Sequence, residues 1–205
     1  MCSMTILFLS RRNSCILDWG HCMKGMIFTE FLEMAESRHS AAYVDAVIQE
    51  AAVPNDGAYT AVGTYPAAEM GCLLTAYSRR SGLAPSAILK SFGEHLYGRF
   101  REQYPAFFSA APEPLAFLES VDGYIHVEVR KLYPDAELPT FQCHRPTPDS
   151  LVMLYQSSRG LADLAEGLIR ACLAGAGAPH LLEREDLSGG NGTTVRFTLR
   201  PPLHD

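Results

Sequence analysis

An α+β domain is predicted, with helices first and then a mostly antiparallel four-stranded sheet that has one helix threaded between its strands. Three observations predict it. Apolar residues between Ile27 and Leu132 recur at three- and four-residue spacing, as one face of a helix requires. Beyond Pro134 they alternate singly, most clearly where Val195, Phe197 and Leu199 interleave with Arg196, Thr198 and Arg200. Ser188-Gly189-Gly190-Asn191-Gly192 separates the last two alternating runs as a hairpin turn would. Helices collected ahead of strands, without strict alternation, argue for α+β architecture.

Each element has its own warrant. Phe28, Phe31 and Leu32, then Tyr43, Val44, Val47 and Ile48, keep helical spacing to Ala52, and the polar break at 38–40 divides the run into two helices. Pro54-Asn55-Asp56-Gly57 is a turn. Tyr65-Pro66 precedes a helix over 67–80, and Gly82 stops it. Another helix spans 86–97, with Pro85 just before it, and Tyr104-Pro105 opens a proline-broken stretch. Leu118, Val121, Ile125, Val129 and Leu132 form one stripe on a helix over 115–132, although residues 125–129 also alternate as a strand would. Strands are expected at 140–145, 151–157, 180–187 and 194–200, and a helix at 161–173. Met34 and Met70 read as core. His39, His95, His204, Asp163 and Glu166 read as solvated.

Composition narrows the function classes. A chain of 205 residues with 47% hydrophobic content supports one sizeable core. The net charge of −6 and the lack of a basic patch argue against nucleic acid. The early apolar run 4–9 is too short to span a bilayer, and its arginines, Arg11 and Arg12, follow it, the reverse of a secretory leader. Six cysteines without a CxxC pair read as reduced thiols in a cytoplasmic setting. Residues 1–22 hold half the cysteines and no periodicity, and read as a disordered or non-native extension. A metal- or redox-active tail built on Cys15, His21 and Cys22 is the alternative. The domain is expected over 23–200, with a tail at 201–205. No GxSxG, Walker loop, HExxH or GxGxxG occurs, so no enzymatic signature competes.

Two groups of residues carry chemistry. Tyr155, Ser157 and Arg159 are spaced by two, which on a strand puts two hydroxyls and a guanidinium on one face, a clamp for carboxylate or phosphate. The bland reading is a solvated edge-strand face. His126 sits beside an apolar stripe, either as an ordinary structural histidine or as a neutral imidazole ligand for a metal. Cys143, Cys172 and His180 form a further set: three soft ligands where tetrahedral zinc wants four, redox-responsive thiols, or two buried thiols beside a surface histidine.

Several short motifs are shared with one known family. MKG stands at 23–25, DGAYT at 56–60 and GTYP at 63–66. His126 and Pro134 make an H-x8-P segment followed by Pro139, and YxSxR is complete at Tyr155, Ser157 and Arg159. From Met23 to about Leu199 the chain resembles an H-NOX (haem nitric oxide/oxygen binding) domain, the family that includes the haem sensor domain of soluble guanylate cyclase. The resemblance implies a helical subdomain and a sheet-bearing proximal subdomain with haem b between them. It implies that His126 is the proximal iron ligand, that Tyr155, Ser157 and Arg159 bind the haem propionates, and that Pro139 presses on the porphyrin. Ile27 and Phe31 match pocket-lining positions, and Phe92 and Leu168 are expected as pocket walls. Members that hold O2 carry a tyrosine five residues after the motif arginine, where this chain has Leu164. An apolar distal side implies a sensor that binds NO and CO and excludes O2, with Tyr97 or Tyr77 as the alternative distal donors. The output implied is release of His126, read by a separate protein such as a histidine kinase or a cyclic-di-GMP enzyme. The sequence ends soon after the sheet, so no output domain is expected. Two competing functions are a haem enzyme, which needs a distal acid–base pair, and a haem-independent zinc or thiol-redox module using Cys143, Cys172 and His180.

Overall fold

The computed structural model describes residues 22–177 and 180–202. Residues 1–21 and 203–205, with Cys15 and His21 of the alternative tail site, lie outside the described residues. The chain enters on a two-residue strand, β1 (Met23–Lys24), and passes directly into α1 (Gly25–Arg38). β1 pairs antiparallel with β2 (Thr64–Tyr65), a ribbon too short to show any period in the sequence. Gly25 lets this corner close, because a Cβ there would sit 1.9 Å from the Thr60 carbonyl oxygen. Its N–H donates to the Gly63 carbonyl at 2.8 Å and that of Met26 to the Ala61 carbonyl at 3.0 Å. The loop at 60–63 thereby satisfies the otherwise orphaned first turn of α1.

The break between α1 and α2 (Ala41–Ala51) is a cap: the Ser40 hydroxyl accepts from the Tyr43 N–H. After a 3-10 turn at Pro54–Gly57 come α3 (Ala67–Ser81), ended at Gly82, and α4 (Pro85–Gln103), which runs past its expected end at Tyr97. Phe28, Phe31, Met34, Leu73 and Phe92 are buried where these helices meet. Met34 and Met70 are in this core as read from sequence.

The proline-broken stretch folds as α5 (Pro105–Ala110) and α6 (Pro114–Ser120). The Glu113 carboxylate caps α6, accepting from the Leu115 and Ala116 N–H groups. A π-helical turn, Val121–Ile125, leads into α7 (His126–Leu132), so the helical reading of 125–129 holds over the strand reading. The sheet follows with β3 (Thr140–His144), β4 (Leu151–Gln156), β5 (Leu181–Asp186) and β6 (Thr194–Arg200), and α8 (Ala162–Gly175) is inserted after β4. The order is β3-β4-β6-β5, antiparallel throughout. Leu151, Met153 and Tyr155 of β4, with Val195, Phe197 and Leu199 of β6, form the inward face.

α8 joins the two halves. Ala165, Ile169 and Cys172 belong to the sheet-side core, while Leu161, Leu164 and Leu168 pack against the N-terminal core. It meets α4 glycine against backbone. A Cβ on Gly93 would lie 2.3 Å from the Leu164 carbonyl oxygen, and one on Gly167 would lie 2.0 Å from that of Lys90. Glu166, read from sequence as solvated, is 2% exposed and receives Lys90 at 3.0 Å, Arg170 at 2.8 Å and Arg184 at 3.2 Å. Burial pushes its carboxyl up, and the hydrogen bonds from Lys90 and Arg170 more than reverse this, leaving it below the usual carboxylate value. Two of its three partners, Lys90 and Arg184, come from α4 and β5, which local spacing cannot reveal. His95 is likewise not free on the surface: it bonds the buried Glu30 at 3.0 Å.

Cys22, Cys143 and Cys172 are free thiols. Among the described residues no helix is long and apolar enough to cross a membrane.

Gly167→Ala forces a methyl group into the Lys90 backbone. It is expected to cost about 3 kcal/mol, the upper end of overpacking penalties. Thermal unfolding followed by circular dichroism then shows the midpoint lowered by roughly 6–12 °C for a chain of this size.

Candidate functional site

Between the two cores the chain encloses an apolar cavity of about 350 Å³, within the range of cofactor pockets. Ile27 lines it from α1 and Leu164 and Leu168 from α8. The stripe Leu118, Val121, Ile125, Val129 and Leu132 lines it too, and Leu118, with Val121 and Ile125 beside it, also packs into the sheet-side core. His126, Lys24 and Arg159 are the basic residues of the lining, and Lys24 and Arg159 lie with Asp135 and Glu137 at the edge.

His126 opens α7 directly after the π turn. Its side chain is 12% exposed, and Nδ1 lies 3.1 Å from Asp122 Oδ1, one turn earlier. Burial lowers the imidazole pKa, while the Asp122 hydrogen bond and charge and the Pro139 backbone act the other way, and the net direction is down. The ring is therefore neutral near pH 7, with a carboxylate on one nitrogen to fix its tautomer, the arrangement in which histidine serves as a metal ligand. Its ring lies 6.0 Å from that of Phe141, which lies 5.5 Å from that of Tyr155. Pro139 lines the same cavity.

Tyr155, Ser157 and Arg159 come together, though not as one strand face. β4 ends at Gln156, and the next residues turn, with Ser157 Oγ accepting from the Arg159 N–H at 3.2 Å. Tyr155 points inward from the strand, fully buried, and burial raises its phenol pKa. Arg159 Nη1 donates to the Glu137 carbonyl at 2.6 Å, and Nη2 donates to the Glu137 carboxylate at 3.0 Å and to the Cys22 carbonyl. Its Nε is buried without a partner. An unmet donor on a guanidinium fork, beside two hydroxyls and above an apolar slot, fits a flat apolar group that carries carboxylates.

Other expectations are corrected. Phe31 and Phe92 do not line the cavity; they meet edge to face at 5.3 Å inside the N-terminal core. Tyr77 is also elsewhere, its hydroxyl 2.9 Å from His39 Nε2, whereas Tyr97 lines the cavity and is hydrogen-bonded to Cys172. The zinc set does not assemble: among the described residues no three His, Cys, Asp or Glu side chains gather as metal ligands. Cys143 and Cys172 instead pack in the sheet-side core, and both ring nitrogens of His180 are buried without partners. Sequence reasoning missed Asp122, Lys24, Asp135 and Glu137. Only Asp122 left a signal there, at four residues before the histidine on one helical face.

Fold and cavity define a cofactor-binding α+β domain of two halves with the ligand slot between them. The family model for haem-NO-binding proteins matches residues 24–175, and the chain belongs to that family, the H-NOX domains. The fold superposes on an H-NOX protein of K. algicida in the unliganded Fe(II) state, with a TM-score of 0.83 and 35% identity over 89% of this chain and 98% of that one. The Fe(II)CO state of the Shewanella woodyi H-NOX, bound to IWP-051, gives 0.76 and 31% over 89% and 97%. An S. oneidensis H-NOX in the Fe(II)NO state shares the fold at 0.80 with 18% identity over 87% and 98%. A search of curated proteins gives no match. H-NOX domains are haem-based gas sensors, and haem is the cofactor of this one.

Burial pushes the Cys143 and Cys172 thiols up to about 11, so neither is a thiolate at neutral pH. Alkylation with iodoacetamide at pH 7.5, mapped by peptide mass, is expected to modify exposed Cys22 within minutes and to spare both until the protein is unfolded. Rapid native labelling of Cys143 or Cys172 would contradict their burial.

Proposed function

We propose that this domain senses NO, and CO, at ferrous haem, with His126 as the proximal ligand. The observation that carries the reading is a half-buried, neutral, carboxylate-oriented imidazole in the wall of an apolar cavity whose edge presents an unsatisfied arginine donor. Haem, when bound, would supply a ferrous iron able to take a diatomic gas. Tyr155, Ser157 and Arg159 orient the group through its acid arms, and Pro139 bears on its face from the His126 side. Ile27, Leu164 and Leu168 keep the gas side free of hydrogen-bond donors, which disfavours O2, the ligand that most needs one. Tyr97 does not supply the donor. Its hydroxyl is engaged by Cys172, a residue that stands two helical turns along α8 from Leu164, a rise of roughly 12 Å.

The signal is release of His126. α7 is suited to it: the helix is seven residues long and none of them is buried, so little packing holds it once the imidazole lets go. Asp122 keeps the freed ring oriented. A separate protein, of the histidine kinase or cyclic-di-GMP-enzyme class by family resemblance, reads the shift in α7 as a change of population between two arrangements.

The ferrous protein tests this reading directly. It is expected to form NO and CO complexes and no stable oxy complex in air, while Leu164→Tyr, which adds a donor to the gas side, is expected to hold O2. An oxy spectrum from the wild type would overturn the apolar-pocket argument. His126→Gly is expected either to lose haem or to adopt the NO-released arrangement, and a histidine-ligated spectrum retained in that variant would refute the assignment of the ligand.

A further inference from the structure

The cavity edge carries two cations and two carboxylates in matched pairs, and the carboxylates both come from the short segment between α7 and β3. Lys24 Nζ lies 2.8 Å from Asp135 and 2.8 Å from Thr64 Oγ1, and it also sits 5.4 Å from the Tyr133 ring centre. Arg159 holds Glu137 at 3.0 Å. The cations are sheltered, at 17% and 9% side-chain exposure, whereas Asp135 and Glu137 are 62% and 49% exposed. Anchored cations facing loosely held acids are half of an exchangeable arrangement. The grip on Arg159 is also incomplete: Glu137 takes both terminal nitrogens through its carbonyl and carboxylate and the Cys22 carbonyl shares Nη2, but Nε is left buried and unmet. A carboxylate approaching from the cavity could take Nε and Nη2 together, the bidentate geometry in which guanidinium binds best.

Building on the haem reading above, we propose that Asp135 and Glu137 form an internal carboxylate latch. They hold Lys24 and Arg159 in the cofactor-free protein and are displaced by the two acid arms of the porphyrin. Lys24 is then a second anion-binding residue at the pocket edge, alongside the Tyr155–Ser157–Arg159 group. The latch ties the segment after α7 to the N-terminal strand β1 and to the end of β4. Loading haem unties it and frees the Asp135–Pro139 segment to follow α7. Exposed ion pairs are weak, so the exchange needs no large driving force.

The test compares wild type, Asp135→Asn, Glu137→Gln and Lys24→Met by Soret titration of the apoprotein with haem and with haem dimethyl ester, and by thermal unfolding of each form. Removing a competing acid is expected to tighten haem binding roughly two- to fivefold, the scale of an exposed ion pair. It should lower the melting temperature of the apoprotein, leave that of the haem-bound protein unchanged, and make no difference to the ester, which lacks charged arms. Lys24→Met is expected to weaken haem binding and not ester binding. If the acid variants lower both melting temperatures alike, or shift haem and ester affinity equally, the pairs are ordinary surface contacts and the latch is wrong. A wild-type protein that binds haem while showing none of these differences sinks the latch alone; one that takes up no haem sinks the reading of the site as well.

Discussion

Two glycines set how closely α4 and α8 approach, and the rest of the molecule depends on that approach. With carbonyls about 2 Å from where a Cβ would stand, Gly93 and Gly167 let one helix lie almost against the backbone of the other. Only at this separation can α8 offer one side to the helical core and the other to the sheet. The same contact brings Lys90 against Glu166, and Arg184 of β5 completes the charge cluster. A buried carboxylate among three cations adds little net stability of its own, but removing any partner would strand the others, so it acts mainly to fix which way α8 is turned.

The cavity follows from that orientation. Leu164 and Leu168 line it because α8 is turned outward from the sheet at those positions, and the stripe from α6 through α7 lines it too. The sheet contributes Tyr155 from its buried face and, where β4 ends, the arginine that closes the edge. No single element builds the pocket. Its charged groups and its imidazole come from four stretches far apart in sequence (β1, the π turn with α7, the segment after α7, and the end of β4), while the apolar walls come from helices that are stable for other reasons.

Much of this was legible in the chain. Periods of 3.6 and 2 are properties of single elements, so the helix pair before residue 52, the four strands and the Gly-rich turn could be read locally. The histidine and the Tyr-Ser-Arg triplet were legible because a short spacing carried their chemistry. What could not be read depended on partners distant in sequence. Phe31 and Phe92 have the character of pocket walls, but each found the other first. Glu166 looked solvated until Lys90 and Arg184 met it. Cys143, Cys172 and His180 had the right elements for metal, yet the thiols, one on β3 and one on α8, pack into the apolar sheet-side core. β1 and β2, with two residues each, were beneath the resolution of any pattern.

The wide turn at Val121–Ile125 has a consequence for how this domain can vary. An i to i+5 turn amounts to one residue more than an α-helix would use, and each residue advances a helix by roughly 100°. α6 and α7 are therefore out of phase with each other, and the azimuth of the His126 ring is set by that surplus residue and not by the helix it begins. Deleting one position there would leave both helices intact in sequence while swinging the imidazole toward bulk water, so chain length in this short stretch is constrained more tightly than the identity of its amino acids.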